Sequence, residues 1–169
     1  MNTRSLSEIC RGDAEISRVF EGVFPSDCLP SRLPCPSAFI VNTDPKSKPG
    51  KHWIAFYVDQ DYLGDHLDSF GRHPIPTVEK YLDDKCIEWQ YSVKQLQSPL
   101  TTTCGQYCVY FLHQRCRGKS METILKRFSD DYASNDQFVK NFVNKVYDRN
   151  TKAVDVDYIV DQVASVLDI

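Results

Sequence analysis

The stretch Leu100-Thr-Thr-Thr-Cys-Gly-Gln-Tyr-Cys-Val-Tyr-Phe-Leu-His113 decides the fold of this chain. Its apolar residues recur at spacings that share one helical face, which predicts a helix from Cys104 to Leu112. We expect the preceding threonines to cap this helix, because Thr caps a helix better than it propagates one. A thiol at a helix N-terminus faces unpaired backbone N–H groups and the positive end of the helix dipole, which both favour the thiolate. Cys104 is therefore a candidate nucleophile.

A nucleophilic thiol needs a base to accept its proton, and His52 is the best placed of the four histidines. It is the polar first residue of the apolar segment His52–Val58, which predicts a strand. A histidine at the end of a strand can point into a cleft while the rest of the strand stays buried. The other histidines are more typical of structural or surface positions: His66, His73 and His113.

Two further side chains would complete an acyl-transfer site. Asp68 lies in a strand that we expect to pair with the His52 strand, where its carboxylate would orient and stabilise the charged ring. Gln97, seven residues before Cys104, could donate its side-chain amide to an oxyanion together with the Cys104 N–H. Taken singly, an aspartate at a strand edge often caps a turn, and a glutamine before a helix is usually a surface residue. Asp65, the spare acid, would point to the opposite face of its strand.

Length and charge limit the classes of protein. A chain of 169 residues, of which 41% are hydrophobic, predicts a single domain over residues 1–169. The net charge of −3, without a run of Lys or Arg, argues weakly against DNA as a major partner. No apolar stretch approaches the roughly 18 residues of a membrane span, and the first residues lack the apolar core of a signal peptide. We therefore expect a protein that is neither in a membrane nor secreted.

The seven cysteines include no CxxC pair, which favours free thiols in a reducing compartment over a disulfide framework. Zinc is a poor alternative, since His113 would lie about 180° around the helix from Cys104. The sequence thus predicts no metal site, and it contains no motif for an organic cofactor.

The order of predicted elements indicates an α+β domain, with a small mixed sheet packed against helices. The prediction starts with an amphipathic helix over 5–21, interrupted near Gly12, and an irregular connection over 22–36. Predicted strands follow at 38–41, 52–58, 65–70 and 86–93, with a helix at 75–85 before the last of them. After the Cys104 helix we expect one helix capped by Ser120, one after a capping box at Ser134–Gln137, and one that presents Val156, Ile159, Val160, Val163 and Leu167.

The set His52-Trp53, Asp68-Ser-Phe-Gly71, Gln97 and Cys104-Gly105 resembles the adenoviral endopeptidase (adenain) family in residue type and in chain order. Relatives of that family are also encoded by Polinton/Maverick elements and virophages. The resemblance runs from about Phe24 to His113. It implies a papain-like cysteine protease fold of the adenain/SUMO-protease type, with the nucleophile at a helix N-terminus.

The resemblance also implies roles for single residues. Cys104 would be the nucleophile, His52 the general base, Asp68 its orienting carboxylate and Gln97 an oxyanion-hole donor. Trp53 would pack beside the catalytic ring. Adenoviral enzymes often carry Glu where Asp68 stands, so the resemblance leaves the length of the His–acid hydrogen bond open.

The implied function is the processing of viral capsid or virion precursor proteins during maturation, by cleavage after small residues such as glycine. The implied location is the nucleus or cytoplasm of the host cell and the virion. One alternative is a SUMO or ubiquitin-like-protein isopeptidase of the same clan, although those enzymes typically place Gln six residues before Cys. A second alternative is a catalytically inactive domain that binds peptides.

Cys86 is a candidate contact for a partner. The alternation of the predicted strand 86–93 puts it on the polar face, and the resemblance implies a disulfide from this position to an activating peptide that adds a strand to the sheet. Our hypothesis is that Cys86 marks an exposed edge strand. The alternative is an ordinary exposed or half-buried thiol.

Overall fold

A mixed sheet with helices on both faces forms the body of the computed structural model, which describes residues 1–147. Its five strands lie in chain order; β1 and β2 are parallel, as are β4 and β5, and the central pairs are antiparallel. The expected α+β class with a small mixed sheet is confirmed. The strands are β1 (Phe20–Pro25), β2 (Ser37–Asn42), β3 (Trp53–Val58), β4 (Leu63–Leu67) and β5 (Glu88–Tyr91). The helices are α1 (Thr3–Gly12), α2 (Pro76–Lys85), α3 (Cys104–Arg115), α4 (Met121–Leu125) and α5 (Tyr132–Tyr147), with a 3-10 turn at Ile16–Arg18.

The helix α3 is buried on most of its surface and crosses one face of the sheet. It packs there on Ala38 and Ile40 of β2 and Ala55 of β3, and two of these three side chains are small enough to let the helix come close. The alternate residues of the same strands face α2 instead, where Phe39 and Phe56 stack with ring centroids 4.8 Å apart. Since both faces are covered, every residue of β2 is buried, and the start of α3 is fixed against the sheet.

The edge strand β1 was not predicted, because residues 5–21 were interpreted as one helix and residues 22–36 as irregular. The helix α1 ends at Gly12, and the carboxylate of Asp13 then accepts hydrogen bonds from the N–H groups of Glu15 and Ile16. This turn redirects the chain, and residues 20–25 pair in parallel with the buried strand β2. The prolines and the glycine in this region disfavour a strand by local propensity, and the strand forms because β2 pairs with it.

The predicted capping box at Ser134–Gln137 is wrong. The helix α5 begins at Tyr132, three residues before the start that a Ser134 cap would give, because the Asp131 carboxylate accepts hydrogen bonds from the backbone N–H of Ser134 at 3.1 Å and from its hydroxyl at 2.6 Å. The predicted last helix, Val156 to Leu167, lies outside the described residues. Within residues 1–147, no helix is both long and apolar enough to cross a membrane.

Candidate active site

Two neighbouring strand ends bring His52 and Asp68 together. His52 directly precedes β3 and Asp68 directly follows β4, and these strands are antiparallel, so the two residues meet at one edge of the sheet. The Nε2 atom of His52 lies 2.7 Å from Oδ1 of Asp68, and both side chains are buried. The shorter acid therefore reaches the ring, which answers the question that the resemblance left open.

The carboxylate of Asp68 is fixed from several directions. Its Oδ1 atom accepts a hydrogen bond from the backbone N–H of Phe70 at 2.8 Å. The Phe70 ring lies against the His52 ring, with centroids 4.9 Å apart. The buried hydroxyl of Ser92 donates to the backbone oxygen of Asp68 at 2.9 Å and accepts from its backbone N–H at 3.1 Å. Ser92 follows β5 directly, so the acid is anchored to the edge strand.

Cys104 is the first residue of α3, as expected, and its thiol faces the His52 ring. Burial alone would raise the pKa of Cys104, but hydrogen bonds from His52 and from the backbone N–H groups of Trp53 and Gly105 outweigh it, so the pKa is lowered. Because Nε2 of His52 is bonded to Asp68, Nδ1 is the ring nitrogen left for the thiol. The site thus favours a thiolate–imidazolium pair.

The charges of the other two groups agree with this pair. Burial alone would lower the pKa of His52, but the hydrogen bonds to Asp68 and Cys104 outweigh burial and raise it. Burial would raise the pKa of Asp68, yet the hydrogen bond and the charge of His52 lower it. A protonated ring between two anions is the state that the geometry stabilises.

The threonine cap of α3 does not form as expected. Thr103 occupies the N-cap position, but its side chain makes no capping hydrogen bond. Its backbone oxygen accepts from the N–H groups of Gln106 and Tyr107. The N–H of Cys104 precedes these and has no intrahelical acceptor, as is usual in a first turn, so it is open to an oxyanion.

Gln97 is 1% exposed and lies in the loop before α3, so it is not the surface residue of the alternative interpretation. Its side-chain oxygen accepts from the Ser69 hydroxyl at 2.7 Å, and its Nε2 donates to the backbone oxygen of Thr101 at 2.8 Å. An amide nitrogen carries two protons, and beside this bond Nε2 makes only a longer one, of 3.4 Å to Oγ1 of Thr101, which an oxyanion could replace.

Trp53 lines a cavity of about 220 Å³ beside the sulfur, together with Pro49, Gly50, Thr102 and the N-terminal residues 1–3. Its Nε1 donates to the backbone oxygen of Met1 at 3.2 Å. The Met1 side chain in turn packs against Gly105, where an added Cβ would lie 3.0 Å from the Met1 Cβ. This cavity is the space next to the nucleophile in which a peptide could lie.

Cys86 does not lie on the polar face of a strand, because β5 begins at Glu88 and Cys86 instead caps the end of α2. Its half-buried sulfur packs over Gly64, so an added Cβ on that glycine would lie 2.9 Å away. Burial raises the pKa of the Cys86 thiol to about 11. The expected edge strand is present, however: among the described residues β5 pairs only with β4 and forms an edge of the sheet.

Four residues that hold the site were missed from the sequence: Ser69, Ser92, Thr101 and Asp136. One of them left a signal. Asp136 shares a helical face with the buried residues Val139 and Val143, and a carboxylate on a buried stripe needs a specific partner. The three hydroxyls are typical of loops and could not be told apart from their sequence neighbours.

The remaining cysteines do not compete with Cys104. All seven are free thiols, and burial raises the pKa of Cys108 well above its ordinary value and that of Cys10 to about 12. No three His, Cys, Asp or Glu side chains within residues 1–147 are grouped as metal ligands.

The chain is similar in sequence to the proteases of adenoviruses. It is 30% identical over 109 residues to the protease of Human adenovirus B serotype 3, a match that covers 56% of this chain and 51% of that protein. The protease of Avian adenovirus 8 is also 30% identical over 109 residues, with 56% and 52% covered. The chain spans about half the length of the curated relatives it matches. No protein-family model matches it.

The fold is similar to that of the ASFV pS273R protease. That crystal structure superimposes with a TM-score of 0.61 at 17% sequence identity, over 82% of this chain and 65% of the other. The likeness extends the relationship from the sequence to the arrangement of sheet and helices, as the resemblance implied. The chain is thus similar in sequence to adenovirus proteases over about half of their length and similar in fold to the ASFV pS273R protease, in agreement with the resemblance to the adenain family.

Proposed function

We propose that this chain is a viral cysteine endopeptidase in which Cys104, His52 and Asp68 form the catalytic triad. One observation carries the proposal. The His52 ring is hydrogen-bonded to Asp68 at 2.7 Å, and the same ring lowers the pKa of Cys104 at the start of α3. The adenovirus relatives are named proteases, which supports the same activity.

In the first half of the reaction the Cys104 thiolate attacks a peptide carbonyl and forms a C–S bond. The negative charge on the carbonyl oxygen accepts hydrogen bonds from the backbone N–H of Cys104 and from Nε2 of Gln97. The His52 imidazolium gives its proton to the leaving amine, and the C–N bond breaks. Asp68 keeps the ring oriented during the transfer.

In the second half, water hydrolyses the thioester. The neutral His52 ring accepts a proton from the water, whose oxygen attacks the acyl carbon. The same two donors stabilise the second oxyanion, and the thiolate leaves with its electrons. The thiolate–imidazolium pair is thereby restored.

The proposed substrates are viral capsid or virion precursor proteins, cut after a small residue such as glycine in the nucleus or cytoplasm of the host cell or in the virion. The cavity of about 220 Å³ beside the sulfur, with the Trp53 side chain as one of its walls, offers a place for the substrate peptide next to the cut. The adenovirus proteases are viral proteins, which supports a viral substrate.

We further propose that an activating peptide pairs with the free edge of β5 and forms a disulfide with Cys86. An unpaired edge offers a row of backbone donors and acceptors to an extended peptide. Ile87 and Val93, which flank β5, are 81% and 73% exposed and would be covered by such a peptide.

The activity is tested by incubating the purified chain with the neighbouring viral structural proteins and sizing the fragments by mass spectrometry. We expect cleavage after a small residue by the native chain and no cleavage by Cys104→Ala. The variant Cys28→Ser, which changes an exposed thiol, should cleave as the native chain does. Cleavage by Cys104→Ala contradicts the proposal, and labelling of Cys104 by a ubiquitin-like vinyl-sulfone probe supports an isopeptidase instead.

The peptide contact is tested with a variant that keeps Cys86 as its only cysteine. The expected result is mixed-disulfide formation at Cys86 in the folded variant, slower than at Cys28 in a variant that keeps Cys28 as its only cysteine, because Cys86 is half-buried and Cys28 is exposed. An unreactive Cys86 removes the disulfide from the proposal.

A further inference from the structure

A buried carboxylate on α5 is bonded to the loop that precedes the nucleophile. Asp136 is 2% exposed, and none of the proposed catalytic steps uses it. One of its oxygens accepts a hydrogen bond from the hydroxyl of Thr101 at 2.6 Å and the other accepts from the hydroxyl of Tyr107 at 2.9 Å. A buried carboxylate is costly without such donors, so these two contacts fix both its place and that of Thr101.

The contacts of Thr101 order the hydroxyl protons around it. Its Oγ1 lies 2.6 Å from Asp136 and 3.2 Å from the backbone oxygen of Ser98, and its single proton takes the shorter contact to the carboxylate. In the 2.8 Å contact between the hydroxyls of Thr101 and Thr103, Thr103 is therefore the donor. Asp136 therefore determines which hydroxyl donates in each of these two hydrogen bonds, from Thr103 to Thr101 and from Thr101 to Asp136.

This order bears on the first oxyanion donor. The Thr103 hydroxyl is held by Thr101 and makes no capping hydrogen bond to α3. A threonine at the N-cap ordinarily accepts from the first turn of its helix. Because the Thr103 hydroxyl is bonded to Thr101, it leaves the N–H of Cys104 open to the carbonyl that the sulfur would attack.

The same loop bears on the second donor. The backbone oxygen of Thr101 accepts from Nε2 of Gln97 at 2.8 Å, while Ser69 donates to the Gln97 oxygen at 2.7 Å. Nε2 also makes a longer, weaker hydrogen bond of 3.4 Å to Oγ1 of Thr101. Thr101 therefore sets the orientation of the amide, and the weakly bonded N–H is the one that an oxyanion could take.

We propose that Asp136 is a positioning residue for the oxyanion hole: through Thr101 it holds both the Gln97 amide and the start of α3. The proposal rests on the proposed protease function. Asp136 touches neither substrate nor sulfur, so its loss is expected to affect the transition state for acyl transfer without changing the thiolate itself.

The central comparison is Thr101→Val, which keeps the shape but removes the hydroxyl, against Thr101→Ser, which keeps it. We expect Thr101→Val and Asp136→Asn to lower kcat about tenfold or more with KM unchanged, because a displaced donor costs mainly in the transition state. Thr101→Ser should restore most of the rate. Asp130→Asn, a change at an exposed acid near the start of α5, should leave kcat and KM unchanged.

Two readouts separate positioning from a loss of structure. The rate at which iodoacetamide alkylates Cys104, and its pH dependence, should be unchanged in Thr101→Val, since the thiolate depends on His52 and Asp68. In a Gln97→Ala background the Thr101→Val change should cost much less in kcat, because the amide it orients is gone. A parallel fall in alkylation, or an undiminished effect without Gln97, overturns the proposal.

A measurement without substrate keeps the inference separate from the proposed activity. In ¹⁵N NMR spectra the side-chain amide protons of Gln97 should exchange slowly with water in the native chain and in Thr101→Ser. They should exchange faster in Thr101→Val and Asp136→Asn. Unchanged exchange in both variants overturns the positioning role, whereas a native chain that cleaves nothing but passes this test overturns only the protease function.

Discussion

The hydroxyl of Ser69 donates a hydrogen bond to the side-chain oxygen of Gln97 at 2.7 Å, and the backbone oxygen of Ser69 accepts from the backbone N–H of Gln97 at 3.0 Å. Ser69 follows Asp68, the acid of the proposed triad, and Gln97 is the proposed oxyanion donor. The turn after β4 and the loop before α3 are thus joined by both main-chain and side-chain bonds. The separation between the two halves of the site is set where these segments touch.

The backbones of the two segments also lie close together at Gly71, so Gly71→Ala should impair both stability and activity. An added Cβ would lie 2.7 Å from the backbone carbon of Lys94, and the φ of Gly71 is +67°. We expect a loss of about 2 kcal/mol or more in the free energy of unfolding and a lower kcat, measured by urea titration and by cleavage assay.

Gly118→Ala is the matched control for that change. Gly118 has a φ of +82°, but an added Cβ meets nothing within 4 Å, so only backbone strain is introduced. Its cost in unfolding free energy should be about 1 kcal/mol, with kcat unchanged. Equal effects of the two substitutions would mean that the contact of Gly71 with Lys94 is unimportant.

Asp68→Asn should change the pH dependence of the thiol as well as the rate. Asp68 raises the pKa of His52, and the charged ring lowers the pKa of Cys104. Without the carboxylate the thiolate forms only at higher pH, so the rise of the iodoacetamide alkylation rate should move to higher pH. Peptide cleavage should fall on the order of 10²- to 10⁴-fold. The exposed acid Asp61 supplies the control Asp61→Asn, and an unmoved alkylation curve in Asp68→Asn would refute the coupling.

His66→Phe should stabilise the protein most in mild acid. The His66 ring is 1% exposed, neither of its nitrogens has a hydrogen-bond partner, and burial lowers its pKa from 6.5 to about 4. Between about pH 6.5 and about pH 4, His66 is therefore protonated in the unfolded chain but neutral in the folded chain. The free energy of unfolding decreases as the pH falls through this range. Phenylalanine keeps the contact with the Phe56 ring and removes this loss.

The measurement is the urea midpoint of His66→Phe and of the native chain at about pH 7.5 and about pH 5. The difference between the two proteins should widen at the lower pH. His73→Phe, a change at a half-exposed ring, should give a difference that does not widen. A constant difference for His66→Phe would mean that its ring is protonated in the folded state.

Asp13→Asn should flatten the loss of stability in strong acid. Burial would raise the pKa of Asp13, but hydrogen bonds from Ile16, Arg117 and Tyr147 outweigh it and lower the pKa from 3.8 to about 2. The carboxylate therefore stabilises the fold above its ordinary pKa, and this contribution disappears as the pH falls through about 2.

The variant should lose about 1–3 kcal/mol of unfolding free energy at neutral pH, because Arg117 loses an ionised partner. Between about pH 4 and about pH 2, its stability should fall less than that of the native chain, as measured by thermal unfolding. Asp61→Asn should follow the native curve throughout, and an equal slope for Asp13→Asn would remove Asp13 as a source of acid sensitivity.

The central parts of the fold and site could be predicted because their signals are local or come from residues close in sequence. The α3 pattern and the apolar run of β3 are read directly from the chain, and the pairing of β3 with β4 follows from a short connection. Once that pairing is expected, His52 and Asp68 must meet. Their roles came from the chemistry of a thiol that needs a base.

The parts that could not be predicted depend on partners distant in sequence. β1 is a strand because β2 lies beside it, and Asp136 is buried because Thr101 receives it from 35 positions away. The expected cap at Thr103 does not form because its hydroxyl is bonded to Thr101, whose own partner is the distant Asp136. Sequence propensity reflects local preferences, whereas the conformations of these residues are set by tertiary contacts.

The hydroxyl of Ser92 gives the protein a short mechanical route from its surface to its chemistry. β5 ends at Tyr91, and the next residue grips the main chain of Asp68 on both its donor and its acceptor side. A small displacement of β5 would therefore shift Asp68 directly, through these two hydrogen bonds. A change at this edge strand would therefore alter the position of Asp68 and, through it, the orientation of the His52 ring.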